Sequence, residues 1–116
     1  MNKTEHLLTC FSEECSEVSK EISKALRFGL DDQLTIDAFG PRGTKGPTNK
    51  EKIFEEFIDL LGVYQKLMEF GIMPNIDLVK INPTVYDHIL RKGEKIENYM
   101  KYAIRVGALK DDQNTP

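Results

Sequence analysis

The chain has 116 residues, 40% apolar and 30% charged, which leaves room for one domain and excludes wholesale disorder. Sixteen Lys and Arg face 19 Asp and Glu for a net charge of −3, so a nucleic-acid polymer is not the expected partner. No apolar run approaches the roughly 18 residues of a bilayer span, and the opening MNKTEHLLTCFSEECSEV meets glutamates too early for a signal peptide, so no membrane partner and a cytoplasmic location are expected.

The first predicted element is a helix from Thr4 to about Phe28, a stretch without Gly or Pro. Leu7, Leu8, Phe11, Cys15, Val18, Ile22, Ala25 and Leu26 recur at the spacing of one helical face, and Gly29 is a stop signal. Cys10 and Cys15 fit a reducing compartment. Five residues apart on a helix they point to nearly opposite sides, so the expected role is free, buried cysteine rather than a bridge or zinc site. Neither His6 nor His88 has a local partner resembling a catalytic pair, and surface or packing roles are expected for both.

Residues 30–47, LDDQLTIDAFGPRGTKGP, read as a loop rich in Gly and Pro. Thr48 and Glu51 then form a capping box ahead of a second helical run. Its stripe is Ile53, Phe54, Phe57, Leu60, Leu61, Tyr64, Leu67 and Met68, and it closes at Gly71 with Pro74 beyond. Residues 72–82 read as a connection with one helical turn around 76–80. Asn82 and Pro83 supply an N-cap and first helical residue for a third helix to about Val106, with a bend at Gly93. Residues 110–116 form a polar tail.

No alternating pattern demands a sheet, so the expected fold is all-α, a single helical domain over 1–109 with 30–47 as an inserted loop. The first two helices make rods of roughly 37 and 33 Å at 1.5 Å per residue. A domain of this length has a radius of gyration of only about 13 Å, so a few such rods cannot enclose a core from every side. A second copy completing a four-helix bundle would cover them, which predicts a homo-oligomer, either dimer or tetramer.

The chemistry-bearing residues are acidic. The first helix carries Glu13, Glu14, Glu17 and Glu21, and the second Glu55, Glu56 and Asp59. At 100° per residue, Glu14, Glu21 and Glu17 lie about 70°, 90° and 130° to one side of the first apolar stripe. Glu56 and Asp59 lie about 80° and 140° to the same rotational side of the second. Packed antiparallel, the two acidic shoulders would line one cleft. Two like charges about 4 Å apart repel by roughly 4 kcal/mol at an effective dielectric of 20, a cost that protonation or a divalent cation relieves. Either acidic pair alone also fits a solvated helix face. Two pairs on matching shoulders leave a solvated face and a site for Mg²⁺, with Mn²⁺ as a substitute, as equal readings, since hard cations prefer oxygen ligands. Magnesium also accepts phosphate oxygens, which implies a phosphate-bearing substrate.

Glu14-x-x-Glu17 and Glu56-x-x-Asp59, set in EECSEVSKEISKAL and NKEKIFEEFIDLLGVYQKL, resemble the signature of the MazG-like all-α nucleotide pyrophosphohydrolases. That superfamily also holds dimeric dUTPases and dCTPases and phosphoribosyl-ATP pyrophosphatase. The resemblance spans about Leu7 to Gly71, with added residues in the loop before Thr48. It implies that Glu14, Glu17, Glu56 and Asp59 hold Mg²⁺, and that water cleaves a nucleoside triphosphate between its α- and β-phosphates, releasing nucleoside monophosphate and pyrophosphate. Glu21, Glu13 and Glu55 are the candidates for orienting ligands or accepting the water's proton, Glu21 foremost because it shares the acidic shoulder.

A triphosphate needs further positive charge or polar contacts. Lys24, Arg27, Arg42, Lys45, Asn49, Lys50, Lys101 and Arg105 are the candidates, each equally readable as a surface group or, for Asn49, as a helix start. The GPRGTKGPTN stretch lacks the spacing of a Walker loop. Phe39, Tyr99 and Tyr102 could stack on a base, though packing is the commoner role. A non-catalytic helical interaction module is the rival reading, and phosphoribosyl-ATP or a guanosine alarmone is the alternative substrate on the same fold.

Overall fold

A computed structural model of the chain describes residues 2–35, 45–77 and 79–111. Helix α1 spans Lys3–Phe28, strand β1 Gln33–Thr35, strand β2 Lys45–Thr48, helix α2 Asn49–Glu69 and helix α3 Pro83–Arg105. The protein is mostly helical with little strand, in line with the all-α expectation. It divides into two compact units, Met1–Asn75 and Ile76–Pro116, where the sequence suggests one domain over 1–109.

Local chemistry sets the ends of α1 and α2. The Asn2 side chain accepts a hydrogen bond from Glu5 N at 2.8 Å and returns one to Glu5 Oε1 at 3.1 Å. The first of these satisfies one of the amide donors that a helix start leaves free. Gly29 ends α1 at φ 98°, a conformation glycine adopts without a Cβ penalty, and its N–H reaches Ala25 O at 2.8 Å. The capping box at the start of α2 is formed: Thr48 Oγ1 accepts from Glu51 N at 3.1 Å, and Thr48 N donates to Glu51 Oε1 at 3.5 Å.

The two strands were not expected. They are 3 and 4 residues long, too short for alternation to register, and pair antiparallel with Gln33 opposite Thr48 and Thr35 opposite Lys45. The register is irregular between those pairs. Just beyond them, Asn49 N donates to Asp32 O at 3.0 Å and Lys50 N to Leu30 O at 2.9 Å. Residues 30–35 and 45–48 therefore pair as a ribbon between the end of α1 and the start of α2.

The first unit is an antiparallel helical hairpin. Asn49 sits beside Gly29, Glu56 beside Glu17 and Glu21, Asp59 beside Glu14, and Tyr64 against Phe11, a ladder that descends α1 as it ascends α2. The Phe11 and Tyr64 ring centroids are 6.2 Å apart, and Tyr64 Oη donates to Pro74 O at 3.0 Å. Leu67 is fully enclosed, and Ala25 is also buried. Burying a leucine side chain contributes about 1.5–3 kcal/mol. Most other stripe residues are half-buried, while Leu8, Cys15, Ile22, Leu26, Phe54 and Phe57 stay exposed.

The second unit holds α3. Asn82 Oδ1 accepts from Thr84 N at 2.8 Å, Pro83 occupies the first turn, and α3 is one continuous helix through Gly93. The helical turn expected around 76–80 is replaced among the described residues by a side-chain turn, in which Asp77 Oδ1 accepts from Val79 N and Lys80 N, each at 2.9 Å. Asp77 competes with the backbone for those amides, which is how Asp favours turns over helix.

Candidate metal centre

The hairpin register brings the two acidic shoulders together. One carboxylate oxygen each from Glu14, Glu56 and Asp59 lie within 4.8 Å of one another, and so do oxygens of Glu17, Glu21 and Glu56. Glu56 belongs to both groups, so five carboxylates form one continuous cluster pivoting on it. Glu14, Glu17 and Glu56 are half-buried, Asp59 is exposed, and Glu21 is 3% exposed.

This arrangement carries an electrostatic load. The Glu56 carboxyl is held above its ordinary value, first by partial burial, then by the charges of Asp59, Glu17 and Glu14, with Lys52 opposing. Glu14 Oε2 and Glu21 Oε2 are buried and accept no hydrogen bond. Buried acceptors are normally satisfied, so two orphan oxygens in an oxygen-only cluster fit a hard divalent cation. The i,i+3 pairs Glu14/Glu17 and Glu56/Asp59 each present acids one turn apart, and only the antiparallel register sets one pair against the other.

Other candidates sit elsewhere. Glu13 and Glu55 are exposed and belong to neither group; Glu55 borders a surface groove with Phe54, Ile58 and Asp59. Glu21 lies inside the cluster rather than behind it, and Lys24 Nζ is 3.1 Å from its Oε2. Asn49 is buried, and its side-chain amide donates to Gly29 O at 2.8 Å, tying the start of α2 to the end of α1. Arg27 is exposed with its guanidinium 5.1 Å from the Phe28 ring centre, and Lys50 reaches Asp31 at 3.7 Å. Arg42, Phe39 and the Lys45 side chain lie outside the described residues. Lys101, Arg105, Tyr99 and Tyr102 belong to the second unit, where Arg105 stacks 5.4 Å from the Tyr102 ring centre.

Two features escaped the sequence reading. Lys52, half-buried, acts on Glu56 from one turn earlier, an i,i+4 relation readable in the sequence. His6 is exposed, and its Nε2 lies 3.7 Å from Cys10 Sγ, also i,i+4. Cys10 is half-buried and Cys15 exposed, which corrects the expectation of buried thiols: the stripe turns away from the hairpin contact at Cys15. Among the described residues no helix is long and apolar enough to cross a membrane. Compared with known protein families, with curated proteins and with solved structures, the chain finds no match.

Proposed function

We propose that this protein is a Mg²⁺-dependent nucleoside triphosphate pyrophosphohydrolase of the MazG-like kind, acting in the cytoplasm as a homo-oligomer. The observation that carries the reading is the convergence of Glu14, Glu17, Glu21, Glu56 and Asp59, with two buried oxygens that accept no hydrogen bond. The motif resemblance over Leu7 to Gly71 supports it and directs the choice of substrate.

Glu14, Glu56 and Asp59 would hold one ion, and Glu17, Glu21 and Glu56 offer a second set that shares Glu56. A divalent cation bound there neutralises polyphosphate charge and makes water more acidic. The carboxylates fix where the triphosphate lies relative to the attacking water. Attack at the α-phosphorus forms one P–O bond and breaks the bond to the β-phosphate oxygen, so pyrophosphate leaves with the electron pair. The water's proton passes to a nearby carboxylate, with Glu21 inside the cluster and the exposed Glu13 and Glu55 outside it as the acceptors to separate by mutation. Lys24 is the cationic side chain nearest the acids for the substrate's remaining charge.

The oligomer reading rests on the open apolar surface of the hairpin. Leu26 is 83% exposed and Phe54 64%, alongside Ile22, Phe57 and Ile58, more than scattered surface residues explain. A second copy laid on this face would bury it.

The test is pyrophosphate release from a panel of NTPs and dNTPs with and without Mg²⁺. Glu56→Gln with Asp59→Asn is expected to cut the rate by more than the 10- to 100-fold, in round terms, that ligand-supporting residues cost in metal sites. Activity that survives the double substitution overturns the assignment. No hydrolysis together with no cation effect on the melting temperature favours the interaction module.

A further inference from the structure

Glu21 is the deepest acid of the cluster, and its surroundings differ from those of the other four. Its Oε2 is buried and accepts no hydrogen bond, although the Lys24 ammonium is 3.1 Å away. The directed contact from Lys24 goes to the other oxygen, Oε1, at a long 3.5 Å. Lys24 therefore neutralises Glu21 by charge without saturating its lone pairs. Among the described residues it is the one Lys or Arg within ion-pair distance of any of the five carboxylates. Its side chain remains 36% exposed, so the ammonium has solvent to swing into, whereas Glu21 has nowhere else to go.

Resting on the cation reading above, we propose that Lys24 is a tethered counter-ion that competes with a divalent cation for Glu21 and so lowers the cation affinity of the Glu17/Glu21/Glu56 set. Glu21 oxygens lie within 4.8 Å of those of Glu17 and Glu56, so an ion held by this trio and an ammonium 3.1 Å from Glu21 are close like charges. Such a pair repels strongly at this range, and partial exposure screens the effect to about tenfold in affinity. An i,i+3 lysine on the same helix is always present at high local concentration, which makes it a constant competitor. When the ion takes Glu21, the displaced ammonium stays on its four-carbon stem at the rim of the cluster, where a polyphosphate would arrive.

The experiment is Mn²⁺ titration of the full chain at low salt, followed by calorimetry and by the Mn²⁺-induced rise in melting temperature. Lys24→Met keeps the length and packing of the stem and removes the charge; it is expected to bind Mn²⁺ about tenfold tighter, while Lys24→Arg stays within about twofold of the parent. Lys24→Gln serves if the methionine variant does not fold. In a Glu21→Gln background the same lysine substitution is expected to change Mn²⁺ affinity by less than about twofold, because the competition acts through Glu21. Unchanged or weaker Mn²⁺ binding in Lys24→Met, with the parent binding normally, overturns the counter-ion role and leaves the cation site standing. A parent that binds no Mn²⁺ overturns the cation site, and the counter-ion role falls with it.

Discussion

The hairpin and the α3 unit are built from similar materials with different outcomes. Both contain long amphipathic helices with side-chain caps, at Asn2 and Thr48 in the first and Asn82 in the second. In the hairpin, packing forces acids from distant parts of the chain against one another and encloses Leu67 and Glu21. In α3 no residue is buried, and the ion pair found there among the described residues joins near neighbours, Arg91 and Asp87 at 3.2 Å, one turn apart. Exposed pairs of that kind contribute little, typically under about 1 kcal/mol. Charge becomes chemically useful where the fold denies it water and a partner, and here that happens only when two helices meet.

The contrast breaks most severely at Leu67. Leu67→Ala removes an enclosed side chain and is expected to cost about 2–5 kcal/mol in chemical denaturation. If the hairpin register creates the cluster, the same variant also loses most of its cation-induced stabilisation; retention of that gain would show that the acids hold their geometry without the core.

A second test concerns Glu56, which burial and then Asp59, Glu17 and Glu14 push above its ordinary value against Lys52. From the opposite helix Glu21 also faces it, with Lys24 behind. The folded protein binds this proton more tightly than the unfolded chain does. The stability it contributes is therefore present below the ordinary glutamate range and is lost as pH rises through the raised value. In metal-free buffer, Glu56→Gln is expected to flatten that part of the profile and raise the melting temperature at neutral pH. A fall parallel to the parent's would mean the acids are not in repulsive contact.

The smallest effects sharpen the comparison at the caps. Thr48→Ala and Asn82→Ala each remove one side-chain acceptor from helix-start amides, at about 1 kcal/mol. Hydrogen exchange is expected to show the first weakening the whole hairpin, because Thr48 ends the ribbon that returns to Asp32 and Leu30. The second is expected to loosen only the first turn of α3. Equal spread in both would erase the distinction between the two regions.

What was legible beforehand was whatever depends on neighbours in sequence. Glycine at 29 and 71 and the caps at Thr48 and Asn82 mark the three helices nearly to the residue, because helix ends are decided by amides within one turn. Rotation angles also place Glu14, Glu17, Glu56 and Asp59 on shoulders of their helices. The short β1–β2 ribbon was hidden because a backbone pairing of so few residues leaves no side-chain pattern. Asn49 reads from the sequence as a substrate contact or a helix start; it does begin α2, and its amide donates to Gly29 O, a partner 20 residues away that no local rule can name.

The helices, their stops and the acidic stripe on each are written in the order of residues, since these follow from propensity, capping and periodicity along a few turns. It takes the packed hairpin to bring Asp59 to Glu14 and Glu56 to both groups, to put Glu21 under cover with Lys24 beside it, and to leave Glu13 and Glu55 outside. The register of two helices is set by packing at Leu67, Ala25 and the Phe11–Tyr64 rings and by the ribbon that joins them, all contacts between residues far apart in the chain.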